Sequence, residues 1–119
     1  MPILNEEDRN LIVLASSIKG DIVCQRTKSR KCGYLIQPRL WFSNRMPQGV
    51  KSILESKGIE VKMQYSSVEE ITKILNMITG LDDLSSNPHG LATLRLHYAQ
   101  IQQPKTHDDV IRVLSMLDG

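Results

Sequence analysis

Apolar and polar positions along the chain alternate between two periods, and the switches between them divide it into elements. Asn5 precedes Glu6, Glu7 and Asp8, which reads as a helix start with acids at the positive end of the helix dipole. Leu11, Ile12, Leu14, Ala15 and Ile18 follow at the spacing of one buried helical face, and Gly20 predicts the end of that helix. From Asp21 to Arg26 and from Gly33 to Ser43 the period falls to two, so both segments are expected as strands joined through Thr27 to Lys31. In the second strand Tyr34, Ile36, Leu40 and Phe42 share one face and Leu35, Gln37, Arg39 and Trp41 the other. The first set is core; the second is half polar and faces outward.

Further along, Pro47, Gln48 and Gly49 open a second helix through Val50, Ile53 and Leu54, closed by Lys57 and Gly58. Ile59 to Tyr65 alternates and is expected as a third strand. Ser66 or Ser67 is expected to cap the next helix, Ser67 standing three residues before Glu70 in capping-box spacing, ahead of Val68, Ile71, Ile74, Leu75 and Ile78 at helical period. Leu81 to Pro88 is a polar connection, Gly90 to Gln103 a further helix, and Thr106 with Asp109 caps a last helix carrying Val110, Ile111, Val113, Leu114 and Leu117. The predicted order is α-β-β-α-β-α-α-α, an α/β chain.

A chain of 119 residues with 40% apolar and 24% charged residues is expected to form one domain spanning 1–119, around a single modest core. The start of the chain is acidic and shows no apolar signal segment, and no apolar run approaches membrane-span length, so an intracellular setting and no membrane partner are expected. No spacing of Cys and His fits a zinc site. A hairpin turn centred on Lys28 would put Cys24 and Cys32 in register; reduced thiols and a cross-strand disulfide are both open readings.

Charge changes the picture. Residues 22 to 54 include Arg26, Lys28, Arg30, Lys31, Arg39, Arg45 and Lys51 and no Asp or Glu. That segment carries about +7 while the remainder is about −5, a sorting that the whole-chain value hides. A cationic two-stranded ribbon of this kind suits a polyanion such as duplex DNA, and it equally suits a solubilising turn.

Two stretches resemble the LAGLIDADG homing endonuclease family. Leu14-Ala15-Ser16-Ser17-Ile18-Lys19-Gly20-Asp21-Ile22 is similar to the nine-letter motif in its first two letters, its fifth, and its eighth, the metal-binding acid, which is Asp21. The motif's third and last glycines are Ser16 and Ile22 here, and Lys19 replaces its sixth-position acid. Tyr34-x-x-Gln37-Pro38-Arg39-x-x-Phe42-Ser43-Asn44 resembles the family's second strand, with its internal proline and terminal amide. The later helices and strand follow in family order, with room for one strand where the family usually has two.

The resemblance implies a LAGLIDADG-like αββαβ(β)α fold with a reduced antiparallel sheet and C-terminal helices. It implies a homodimer joined through Leu11, Leu14, Ala15, Ser16 and Ile18 on pseudo-palindromic double-stranded DNA. Asp21 and Asn44 would be catalytic, Asp21 holding Mg²⁺ for phosphodiester hydrolysis. Gln25, Arg26, Thr27, Lys28, Arg30, Lys31, Gln37, Arg39, Trp41 and Arg45 would contact DNA. The family's basic residue near the end of the third helix has no counterpart between Thr79 and Ser85. A catalytically silent DNA-binding or regulatory relative is therefore an alternative, as is a small α/β module binding protein through Leu35 and Trp41. Asp21 also reads simply as a solvated residue after a helix-ending glycine.

Overall fold

The computed structural model describes residues 5–42, 45–97 and 103–118. Helix α1 (Glu6–Ser17) begins as expected, with the Asn5 side chain accepting from Asp8 N–H at 2.7 Å. It stops earlier than its apolar spacing predicts. Strand β1 (Ile18–Arg26) already contains Ile18, Lys19, Gly20 and Asp21. Ile18 fits both periods, one helical turn beyond Leu14 and two residues before Gly20 and Ile22, and tertiary packing decides for the strand. Gly20 is buried beneath helix α4 (Pro88–His97), where a Cβ would lie 2.7 Å from Leu94 Cδ2 and 3.1 Å from Leu91 Cδ1. A side chain at position 20 would crowd the leucine ends that α4 lays on the sheet, so the glycine serves close approach rather than helix termination.

Strand β2 (Tyr34–Phe42) returns antiparallel to β1, with Ile18 opposite Phe42, Asp21 opposite Arg39 and Cys24 opposite Ile36. That register corrects the turn centred on Lys28. Thr27 N–H donates to Gly33 O, Gly33 N–H donates to Arg30 O, and Gly33 takes φ +81, so the turn extends to Gly33 and its centre moves towards Arg30. Cys24 and Cys32 are consequently not cross-strand partners, and both are free thiols. The alternation within β2 is as expected: Ile36, Pro38, Leu40 and Phe42 are buried, and the residues between them are half-exposed.

Helix α2 (Gln48–Ser56) leads to strand β3, which is only Gln64–Tyr65, pairing with Trp41 and Leu40. The longer strand expected over 59 to 65 does not form, because the Tyr65 hydroxyl folds back within its own segment. It donates to Glu60 O at 2.7 Å and accepts from Lys62 N–H at 3.0 Å. The result is an antiparallel sheet of three strands in the order β1-β2-β3. Helix α3 (Val68–Met77) starts at Ser67, whose hydroxyl accepts from Glu70 N–H. The polar connection after it holds a short 3₁₀ turn, Asp82–Leu84, and α4 follows. Helix α5 (His107–Asp118) closes the chain behind a reciprocal cap between Thr106 and Asp109.

One cluster forms the core. Leu14, Ala15 and Ile18 lie in it with Leu40, Tyr65, Ile71, Ile74, Leu91 and Leu94. Phe42 and Tyr65 meet edge to face with ring centroids 6.4 Å apart. The helices thus cover the even-numbered face of the ribbon, and the odd-numbered face is turned away from them.

The remaining edge of β2 is closed by a side chain. Gln103 accepts from Ile36 N–H at 2.9 Å and donates to Ile36 O at 2.7 Å, so its carboxamide stands in for a neighbouring peptide. Ile36 and Phe42 both direct N–H groups to that edge, the latter donating to Met63 O. Pro38, at the same parity, therefore has its missing N–H on the edge and costs the β1–β2 ladder nothing. Arg30 Nη2 and Cys32 Sγ both donate to Pro104 O, at 2.6 and 3.2 Å, which ties the strap formed by Gln103 and Pro104 to the hairpin tip. Replacing Gln103 with Ala should expose Ile36 N–H, costing about 1–2 kcal/mol. Hydrogen exchange at the Ile36 amide should accelerate; protection equal to the wild type would show that the strap does not cover the edge.

Candidate nucleic-acid interface

On the ribbon's open face, β1 contributes Lys19, Asp21, Val23 and Gln25, and β2 contributes Leu35, Gln37, Arg39 and Trp41. They stand in cross-strand pairs, Lys19 with Trp41, Asp21 with Arg39, Val23 with Gln37 and Gln25 with Leu35. Each strand has nine residues, a length of roughly 30 Å. That approaches one turn of duplex, about 34 Å, and a two-stranded ribbon has the width of the major groove.

At the centre of this face is one fixed assembly. Arg39 Nε donates to Asp21 Oδ1 at 2.9 Å and Nη2 to Oδ2 at 2.8 Å, a bidentate pair with each side chain 31% exposed. The Arg39 guanidinium also lies 5.1 Å from the Trp41 ring centroid. Hydrogen bonding to Asp21 pushes the Arg39 pKa up, so the cation is permanent. At this exposure the pair adds little stability, on the order of 1 kcal/mol. What it does is fix the direction of a charged fork.

The hairpin tip completes the positive surface. Arg26, Lys28 and Lys31 are exposed, and Arg45 is exposed beyond the other end of β2. Thr27 is half-buried, its hydroxyl hydrogen-bonded to that of Ser29. Arg30 differs from its neighbours: it is half-buried and spent on Pro104 O. Beside it, the Cys32 thiol is pushed below its usual range, first by hydrogen bonding with the Tyr34 backbone and further by Arg30. Cys24 is pushed up by burial.

The residues expected to work together divide into two groups. Gln25, Gln37, Arg39 and Trp41 share one face with Asp21, as the alternation implies. Lys19 and Gln64 belong to the same surface and were not foreseen; counting back by twos from Asp21 would have found Lys19. The expected subunit contact is not a free surface: Leu14, Ala15 and Ile18 are 0% exposed within the protein's own core, and Leu11 is partly buried against it. Of that set only Ser16 is exposed, with its hydroxyl bonded to Val13 O. Asn44 lies outside the described residues.

Asp21 is engaged in an ion pair. Both of its oxygens accept from a permanent cation, and a divalent ion would have to displace that cation first. No group of three or more His, Cys, Asp or Glu side chains comes together among the described residues. Nor does any described helix have the length and apolarity to cross a membrane. No protein-family model and no curated protein sequence matches the chain.

Proposed function

We propose that this protein binds double-stranded DNA through the open face of the β1–β2 ribbon, as a LAGLIDADG-like protein in which cleavage is silent. The observation carrying this reading is the ribbon itself: a two-stranded surface with polar, cationic and aromatic side chains on one face and a basic tip. The element order α1-β1-β2-α2-β3-α3 follows the αββαβ(β)α pattern implied by the sequence resemblance. On this reading Arg26, Lys28 and Lys31 meet phosphates, and Gln25, Gln37 and Arg39 meet base edges. The silent form is favoured over the Mg²⁺-dependent endonuclease because Asp21 is committed to Arg39. A two-fold assembly on a pseudo-palindromic site would need a surface other than α1's apolar face, which is occupied internally.

Fluorescence anisotropy with labelled duplexes across a salt series tests the proposal. Phosphate contacts release counterions, so affinity should fall steeply as salt rises. A salt-independent interaction, or none with duplex at low salt, would return the protein-interaction reading through Leu35 and Trp41. In a plasmid nicking assay with Mg²⁺ or Mn²⁺ the wild type should leave supercoiled DNA intact. Nicking that disappears in Asp21→Asn would reinstate the endonuclease.

A further inference from the structure

We infer that Arg39 reads a guanine in the major groove and that Asp21 is the positioning residue that aims it; this rests on the DNA-binding reading above. A guanidinium has two edges able to make paired hydrogen bonds. Asp21 takes the side edge, through Nε and Nη2, at 2.9 and 2.8 Å. The end edge, formed by Nη1 and the second Nη2 hydrogen, is the one Asp21 does not use. Two parallel donors at that spacing match the O6 and N7 acceptors that guanine presents in the major groove. Adenine presents N7 beside an N6 donor, so one of the two donors would face another donor. Cytosine and thymine lack the paired acceptors. Guanine is therefore the base that this edge selects.

Three features of its setting make Arg39 a reader of bases rather than another phosphate contact. It sits near the middle of a nine-residue strand, between the exposed tip cations and Arg45, where a ribbon in the groove faces base edges. Its fork is held by the carboxylate on the neighbouring strand and by the Trp41 ring 5.1 Å away, so little rotational freedom remains to be lost on binding. The Asp21 charge also cancels most of Arg39's own, which weakens attraction to phosphate while leaving the directed donors. A lysine at position 39 would keep the charge but not the fork. The acid that the motif resemblance assigns to metal thus serves recognition.

Selection from a randomised duplex pool, followed by titration of the selected duplex, tests this directly. The wild type should enrich a guanine at one fixed position, and replacing that guanine with 7-deazaguanine should weaken binding roughly tenfold. Arg39→Lys should weaken binding to the selected duplex to the level of its 7-deazaguanine form, lose the enrichment and be indifferent to 7-deazaguanine. Asp21→Asn, compared with the wild type at matched melting temperature, should lower the guanine preference several-fold without weakening binding to duplexes lacking that guanine. Trp41 is the single tryptophan, so its emission should change on binding the selected duplex and change less with the 7-deazaguanine form. If duplex binding persists without a guanine preference that depends on Arg39, the inference fails and the DNA-binding reading stands. If the preference survives in Asp21→Asn, the positioning role of Asp21 fails. If no duplex is retained at low salt, both fall together.

Discussion

Gly90→Ala should destabilise the protein by about 2–3 kcal/mol and lower its melting temperature by roughly 10 °C. Helix propensity alone predicts the opposite sign, since Gly to Ala within a helix normally gains about 1 kcal/mol. The contact geometry decides against propensity. A Cβ at position 90 would lie 2.3 Å from the carbonyl oxygen of Gly20, as well as 2.3 Å from Asn87 Nδ2. The Asn87 side chain can rotate away, at the loss of its bond from Gly90 N–H; a strand carbonyl cannot. Helix α4 would have to lift from β1 and open the contacts of Leu91 and Leu94, both fully buried. Gly20→Ala should cost less, because the added methyl meets the ends of leucine side chains, which can move. Thermal melts of the two variants give the order directly, and a Gly90→Ala variant melting above the wild type would show that α4 does not sit against β1.

Replacing Arg26, Lys28 and Lys31 together with Gln should reduce duplex affinity roughly 100-fold near physiological salt and flatten the slope of log affinity against log salt by about three units. All three side chains are exposed at the hairpin tip, so the fold should be unaffected and the melting temperature nearly constant. Arg30 is left out of the set because its guanidinium holds Pro104 O. Arg30→Gln should loosen the strap more than it changes the salt slope. If the triple variant binds duplex as tightly as the wild type, the tip is not the phosphate-contacting surface.

Most of the element order was legible because each element carries its own period, and the caps at Asn5, Ser67 and Thr106 stand where the sequence places them. What was not legible depends on side-chain partners and on register, which periodicity does not encode. Ile18 satisfies helix and strand equally, and only the seating of α4 on Gly20 settles it. The third strand alternates as a strand should, yet the Tyr65 hydroxyl draws Glu60 and Lys62 into a loop. The open face of β2 was readable from alternation alone. The Asp21–Arg39 pair was not, since it depends on the hairpin register, and a turn centred on Lys28 would place Asp21 opposite Leu35 instead. The presence of Gly33, at φ +81, is the local signal that the turn runs further.

The closure of the β2 edge by Gln103 also has a bearing on synthesis. Gln103 lies 67 positions after Ile36 in the chain, so at about 5–20 residues per second roughly 3–13 s pass between the emergence of the edge and that of the side chain that closes it. During that interval the hairpin, a contiguous unit that pairs within microseconds, is formed but unguarded along one margin. Open margins of this kind recruit strands from neighbouring chains on the same message. Pro38 is the standing defence, because it interrupts the run of available donors before Gln103 arrives. Pro38→Val would leave the finished fold almost unchanged and should show its effect in yield: more material lost to inclusion bodies when translation is fast, and recovery when it is slowed.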